Sequence, residues 1–434
     1  MAGGRRFRWS LPAGYARCLA NRDFRRMQPG FLVSFLGDGM SLLGVAWLAL
    51  QLAAPDSRPT VVGLAVAAYS LPAAVGSFAL GRWLSSRSAR SLILMDSLLR
   101  GVLFTLIPVL HWLRLLDPAV FIALLASSSL LHAWGIAGRQ TFVAESLPQP
   151  DLLAGHSLVG CWEQLSYIAG PPLAGLVTAA LGPAAVLAFD AVSYLYLALI
   201  ASRARREATI GPRPSVPLRR AGRTLIRHSG LLGLLALSFV FYLLYGPIEV
   251  AVPVFVATRL GGDAALLGWI WGAFGTGAVI GALITGTLRR LPLWPVVLAI
   301  VAGWGLAMLP FAELGTLAAG IAGFGLGGVI FAPYGPVSIT LLQQKAPFDE
   351  LVSLSAFRSA VLVTASPLGA VVGGLLVAKL GSADVIRLSG LATIGLAALG
   401  AVLVLLVRLS RRQDTPVTEI AAAATVSGSP PADR

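Results

Sequence analysis

The chain has 434 residues, of which 56% are hydrophobic and 12% charged, with mean hydropathy +0.81 and a formal net charge of +14. Soluble domains carry about 25% charged residues, so a single soluble core is excluded and a polytopic membrane protein is indicated. The basic excess does not mark nucleic-acid binding, because the arginines cluster in loops and tails between apolar runs, which is a pattern of membrane topology.

Residues 1–28 form a basic N-terminal segment with Arg5, Arg6, Arg8, Arg17, Arg22, Arg25 and Arg26 and no apolar run before the first span, which argues against a cleaved signal peptide. Twelve stretches then reach the roughly 20 apolar residues a spanning helix needs. They lie near 29–52, 60–84, 91–112, 118–140, 153–181, 183–201, 230–258, 264–288, 292–311, 314–343, 351–380 and 383–408. The first holds a single ionisable residue, Asp38, between Gly37 and Gly39. A carboxylate at that depth costs about 2.5–3.5 kcal/mol on insertion scales and so faces protein or water. Asp38 is expected beside a central cavity, with a structural acid near the helix end as the plainer alternative.

The segment 202–229 carries eight arginines and Pro212, Pro214 and Pro217, and reads as a cytoplasmic linker lying against anionic headgroups. It divides the chain into a six-helix bundle at 29–201 and another at 230–408, followed by a disordered tail at 409–434. Basic residues crowd the termini, the linker and the loops on the same side, whereas the opposite side holds only Arg58, Arg114, Arg259, Lys379 and Arg387. That bias places both termini in the cytoplasm of a multi-pass plasma-membrane protein. Cys18 and Cys161 are far apart and read as packing residues rather than a disulfide, and His111, His132, His156 and His228 show no metal-ligand spacing.

The two bundles repeat. Shifting the second span by 205 positions lays Gly63, Ala68, Gly76 and Gly81 on Gly268, Ala273, Gly281 and Gly286. Shifting the fifth by 199 lays Pro148, Gly170, Gly175 and Gly182 on Pro347, Gly369, Gly374 and Gly381, with Asp151 meeting Glu350. Corresponding helices run the same way, so the repeat is parallel, about an axis along the membrane normal, and it permits the halves to rock about a site between them.

Several short motifs then carry a resemblance. Asn21–Arg22–Asp23–Phe24–Arg25, Ser34–Phe35–Leu36–Gly37–Asp38, Gly138–Arg139–Gln140 through Glu145–Ser146–Leu147–Pro148, Gly170–Pro171–Pro172–Leu173–Ala174–Gly175 and Phe189–Asp190–Ala191–Val192–Ser193–Tyr194 occur in order. Together they resemble the enterobactin-exporter and macrolide-efflux branch of the major facilitators, over roughly residues 21–408. The resemblance implies an all-α fold of twelve membrane helices in two pseudo-symmetric six-helix bundles, and an exporter of amphipathic small molecules coupled to protons. It also implies a conformational switch at Gly81, Ser85, Arg90, Arg139, Glu145, Gly170 and Pro171. The chain departs from the pattern at Ser85, where the family usually has an acid, and Gly286–Thr287–Leu288–Arg289–Arg290 has none either.

Other charged residues fall inside the spans. Asp96 and Arg100 are four apart on one helix face and are expected to pair. Asp38, Glu163 and Glu249 are the candidate proton-coupling acids, Glu249 lying between Gly246–Pro247 and Pro253, where broken backbone bonding is tolerated beside a cavity. A fixed ion pair with Arg358 would remove whichever acid it held from that role. Trp47, Tyr69, Trp162, Tyr167, Phe241, Tyr242, Tyr245, Trp269, Trp271, Phe274, Phe331 and Tyr334, with Gln164 and Arg358, are candidate cavity residues, since aromatic walls suit large, partly hydrophobic ligands. The same aromatics also serve ordinary packing.

Gly323–Phe324–Gly325–Leu326–Gly327–Gly328 has nucleotide-loop spacing but follows no strand, so it reads as helix packing. No Walker motif or catalytic constellation is present, which argues against an enzyme and against any cofactor or metal. The expected partners are a small-molecule substrate, protons and the lipid bilayer, with no nucleic acid, for a monomer. A facilitator or importer of a polar metabolite, and a non-transporting receptor or scaffold, are the competing readings.

Overall fold

The computed structural model describes residues 13–84, 87–204, 228–346 and 351–413. Residues 1–12, most of the basic linker, Ser85, Pro347, Glu350 and the tail beyond Gln413 lie outside these, so the expectations placed on them are not addressed by the structure. The helices are α1 (Ala13–Ala20), α2 (Arg22–Leu52), α3 (Arg58–Ala79), α4 (Gly81–Leu84), α5 (Ala89–Trp112), α6 (Pro118–Ser129), α7 (His132–Ser146), α8 (Leu152–Leu181) and α9 (Pro183–Arg203). After the linker come α10 (Ser229–Thr258), α11 (Ala264–Thr285), α12 (Leu293–Leu314), α13 (Leu317–Phe331), α14 (Tyr334–Lys345), α15 (Leu351–Leu380) and α16 (Ser382–Gln413).

Eleven spans among the described residues are long and apolar enough to cross a membrane, with α6–α7 and α13–α14 each making one. The twelfth long helix is α8, with 30 residues. Glu163, Gln164, Ser166 and the Pro171–Pro172 pair dilute its apolar run, and its near-side half faces the cavity described below. The protein is an all-α, multi-pass membrane protein. The first span starts earlier than its apolar run, because Asn21 caps the helix at Arg22 by accepting from the backbone of Asp23 and Phe24.

Spans four and ten are both broken, at Leu130–Leu131 and at Ala332–Pro333. Close to each break, a glycine of a neighbouring helix packs against the span's backbone. A Cβ on Gly76 would overlap the carbonyl of Leu130, and one on Gly281 would overlap that of Val329. These are the glycines that the 205-residue repeat superposes.

The halves meet in two related seams. A Cβ built on Gly63 of α3 would stand 2.6 Å from the Ala370 carbonyl oxygen and 3.1 Å from Gly374 Cα of α15. A Cβ on Gly268 of α11 would stand 2.9 Å from the Pro171 carbonyl oxygen and 3.1 Å from Gly175 Cα of α8. The repeat exchanges Gly63 with Gly268 and Gly374 with Gly175, so one seam is the image of the other. Only a residue without Cβ lets the backbones come this close, which is how helices associate in lipid, where no hydrophobic force joins them. Both seams lie toward the side where α2 ends, here the far side. The side where α2 begins is the near side. Gly160, on the near-side half of α8, has no neighbour within 4 Å where its Cβ would be.

Candidate transport cavity

A cavity of about 640 Å³ lies between the halves. Its walls come from α2 and α3 at mid-membrane, the near-side portions of α7 and α8, and the middle of α10 and α15. It therefore begins under the far-side seams and extends toward the near side.

Asp38 is on the cavity wall, with its side chain 21% exposed. Arg100 Nη1 donates to Asp38 Oδ1 at 2.9 Å, and Tyr194 OH donates to the same oxygen at 2.6 Å while accepting from Arg100 at 2.6 Å. Tyr69, Phe104 and Tyr194 place their rings 5.1–5.7 Å from the guanidinium carbon, so the buried cation is held by one carboxylate and a cage of π faces. The expected Asp96–Arg100 pair is not formed. Arg100 reaches across to α2, and Asp96 turns to α7, with Oδ2 3.8 Å from both Arg139 Nη2 and His132 Nδ1. Four-residue spacing aligns two side chains on one helix, but here two neighbouring helices supply better partners.

Arg139 is 4% exposed and lies between two acids, 3.9 Å from Asp38 and 3.8 Å from Asp96. Its guanidinium also stacks over Phe35 at 5.0 Å. Asp190 is fully buried, accepts from Ser41 at 2.5 Å and Ser193 at 3.0 Å, and joins α9 to α2.

Glu163 and Glu249 share the same cavity wall. Ser366 donates to Glu249 at 2.8 Å, and among the described residues no cation lies within 4 Å of either acid. Arg358 does not hold any of the three candidate acids; it donates to Ser338 at 2.8 Å and lies off the cavity wall.

Of the other sequence candidates, Tyr69, Tyr167 and Tyr242 line the cavity. The rest stand elsewhere. Trp47 is buried in the core, Trp162 donates to Gln28 at 3.0 Å, and Gln164 is exposed. Tyr245, Trp271 and Phe274 pack into an aromatic cluster with Trp304, Phe324 and Phe331, at ring separations of 5.2–5.9 Å. Gly81 begins α4; Arg90 donates to the Ala201 carbonyl at 2.7 Å and to that of Ser202, closing the end of α9; Glu145 is half-buried in the last turn of α7. Gly170 lets α8 touch α2, its Cβ falling 2.5 Å from the Gly39 carbonyl carbon, and the Pro171 carbonyl faces Gly268 in the seam. Cys18 packs as expected beside Phe24, Val143 and Leu147, whereas Cys161 is exposed.

Sequence reasoning missed His132, Gln140, His156 and Ser366 as cavity residues. One signal was available: His132, Ile136, Arg139, Gln140 and Val143 fall on one face of α7 by helical spacing. No group of metal-binding side chains occurs among the described residues.

Two related bundles closed at one end by matched seams, with a charged cavity between them, are the architecture of a membrane transporter. The Major Facilitator Superfamily model matches residues 29–350, and the chain belongs to that family; it is a transporter and not an enzyme. It is 25% identical over 366 residues to the uncharacterized MFS-type transporter y4rN of Sinorhizobium fredii, covering 81% of this chain and 89% of that one. It is 26% identical over 367 residues to the multidrug efflux pump Tap of Mycolicibacterium fortuitum, covering 79% and 86%. A bacterial homolog of the human lysosomal transporter Spinster, solved inward-facing and unoccupied, shares the fold with a TM-score of 0.67 at 11% identity, over 91% of this chain and 96% of that one.

Proposed function

We propose that the protein exports amphipathic, partly hydrophobic small molecules in exchange for protons, by alternating access. The observation that carries this reading is that carboxyl groups from both halves, Glu163 on α8 and Glu249 on α10, face one cavity with no cation within 4 Å among the described residues. A carboxyl in that setting is able to take a proton from one side and give it up on the other. Asp38, tied to Arg100 and Tyr194, serves to hold the network, and Glu249 is the principal proton carrier. Most of the remaining wall is apolar or aromatic, including Phe35, Leu42, Val66, Tyr167, Tyr242 and Leu362, which suits a lipophilic cargo. The similarity to a multidrug efflux pump supports the direction of transport. The basic bias of the near side supports cytoplasmic termini, so the cavity opens to the cytoplasm.

The test uses everted vesicles and a lipophilic cationic dye. Dye movement into the vesicles should follow an imposed pH gradient, and Glu249→Gln should abolish the gradient dependence while leaving dye binding in place. Transport that ignores the gradient in the unmodified protein would refute coupling.

A further inference from the structure

The partner exchange described above leaves a second buried acid for which coupled transport through Glu249 has no use. Asp96 is 1% exposed, and its Oδ1 has no hydrogen-bond partner. Its Oδ2 lies 3.8 Å from His132 Nδ1 and 3.8 Å from Arg139 Nη2. His132 is 21% exposed and stands on the cavity wall, so it connects Asp96 to cavity water. His132 Nδ1 and Arg139 Nε and Nη2 are also buried without hydrogen-bond partners, which makes this the least satisfied polar cluster among the described residues. Half-satisfied buried networks are costly. Gly135 packs against Asp96 so closely that a Cβ there would overlap the carboxylate, which sets α7 directly against α5 at this point.

We propose that Asp96 and His132 form a proton relay that decides which acid holds Arg139. A proton from cavity water binds His132 Nε2, and the Nδ1 proton passes to Asp96 Oδ2. The Nδ1–H bond breaks, an O–H bond forms, and the histidine returns to its neutral state. The 3.8 Å gap closes by a small rotation of the imidazole or is bridged by one water. Protonated Asp96 no longer attracts Arg139, which then closes the 3.9 Å gap to Asp38. Deprotonation reverses the exchange. The charged and titratable groups acting on Asp96 are Arg100 on its own helix and His132 and Arg139 from α7, while Asp38 from α2 and Tyr194 from α9 act through their contacts with Arg100. Arg100 is occupied by Asp38 and Tyr194, so Arg139 is the cation left to move. The purpose of the relay rests on the coupled-export reading; its geometry does not.

The test is infrared difference spectroscopy on the full-length protein in lipid nanodiscs, recorded against pH and after a pH jump, with no cargo added. Asp96→Asn should remove one titrating carboxyl band. His132→Gln should keep that band but slow its appearance about 100-fold, the low end of what a positioned proton-transferring side chain contributes. Glu249→Gln should remove a different band and leave this one unchanged. An Asp96→Asn spectrum identical to the unmodified protein, or an unchanged rate in His132→Gln, overturns the proposal; should Asp96→Asn not fold, the His132→Gln rate decides alone. Dye movement that ignores the pH gradient while the relay band persists would count against coupled export and not against the relay.

Discussion

The glycine seams should set the balance between cavity-open and cavity-closed states, and Gly63→Val with Gly268→Val tests this. Ordinary contact for a Cβ begins near 3.4 Å, so the 2.6 Å approach at Gly63 requires α3 and α15 to part by about 0.8 Å (3.4 − 2.6) before the valine methyls are counted. The neighbours are backbone carbonyl and Cα atoms, which cannot rotate away. Overpacking of this kind costs roughly 1–3 kcal/mol. The cost falls only on the state in which the seam is closed, so the far-side-open population should rise about 5- to 150-fold. Spin labels at Leu181 and Arg259 report the far side and labels at Ser202 and Gln344 the near side, in a Cys161→Ser background. The far-side distance should lengthen and the near-side distance shorten, in each variant separately because the seams are equivalent by the repeat. Unchanged distances in two folded variants would refute the idea that these seams are the closed gate.

Other outcomes follow from the same contacts. Asp38→Asn or Arg100→Gln alone strands a buried partner and should lower the stability of the purified protein by about 3–5 kcal/mol in thermal or denaturant unfolding, whereas the double variant should recover most of the loss. Gly328→Ala should fail to fold stably, because its Cβ would overlap the Phe274 carbonyl, while Gly160→Ala meets nothing within 4 Å and should gain up to about 1 kcal/mol from helix propensity; surface expression and melting temperature separate them. On the near side, Asp151 accepts from Arg17 at 2.9 Å, and that hydrogen bond, with the carboxylate's charge, raises the Arg17 pKa further above an already high value. The arginine side of this pair therefore does not titrate near neutral pH. Asp151→Asn, or high salt, should speed hydrogen exchange in α1, and no change on either would exclude the ion pair as what holds α1.

Much of the fold was legible because the bilayer forces it: a spanning segment must be apolar and about 20 residues long, and the apolar runs overlap the observed helices. The repeat was legible through Gly63, Gly76, Gly175 and their images because close backbone approach tolerates no other residue. The breaks in spans four and ten were not, since Leu130–Leu131 carries no breaking residue and Pro333 alone does not distinguish a kink from a stop. Side-chain partners were less legible still. The i,i+4 spacing of Asp96 and Arg100 was real, but pairing was decided by Asp38, Tyr194, His132 and Arg139 on other helices. Likewise Tyr245, Trp271 and Phe274 read as cavity aromatics by composition, yet they pack on Trp304 and Phe331, because composition does not tell which way an all-apolar helix turns.

The most direct measurement counts protons against cargo in proteoliposomes containing a trapped pH indicator and no imposed gradient. Adding a lipophilic cationic dye on the side from which it is pumped should drive protons the opposite way, and Glu249→Gln should stop the proton movement. Dye crossing with no accompanying protons, or an undiminished proton signal in Glu249→Gln, would contradict the assignment of an exchanger whose proton rides on that carboxyl group.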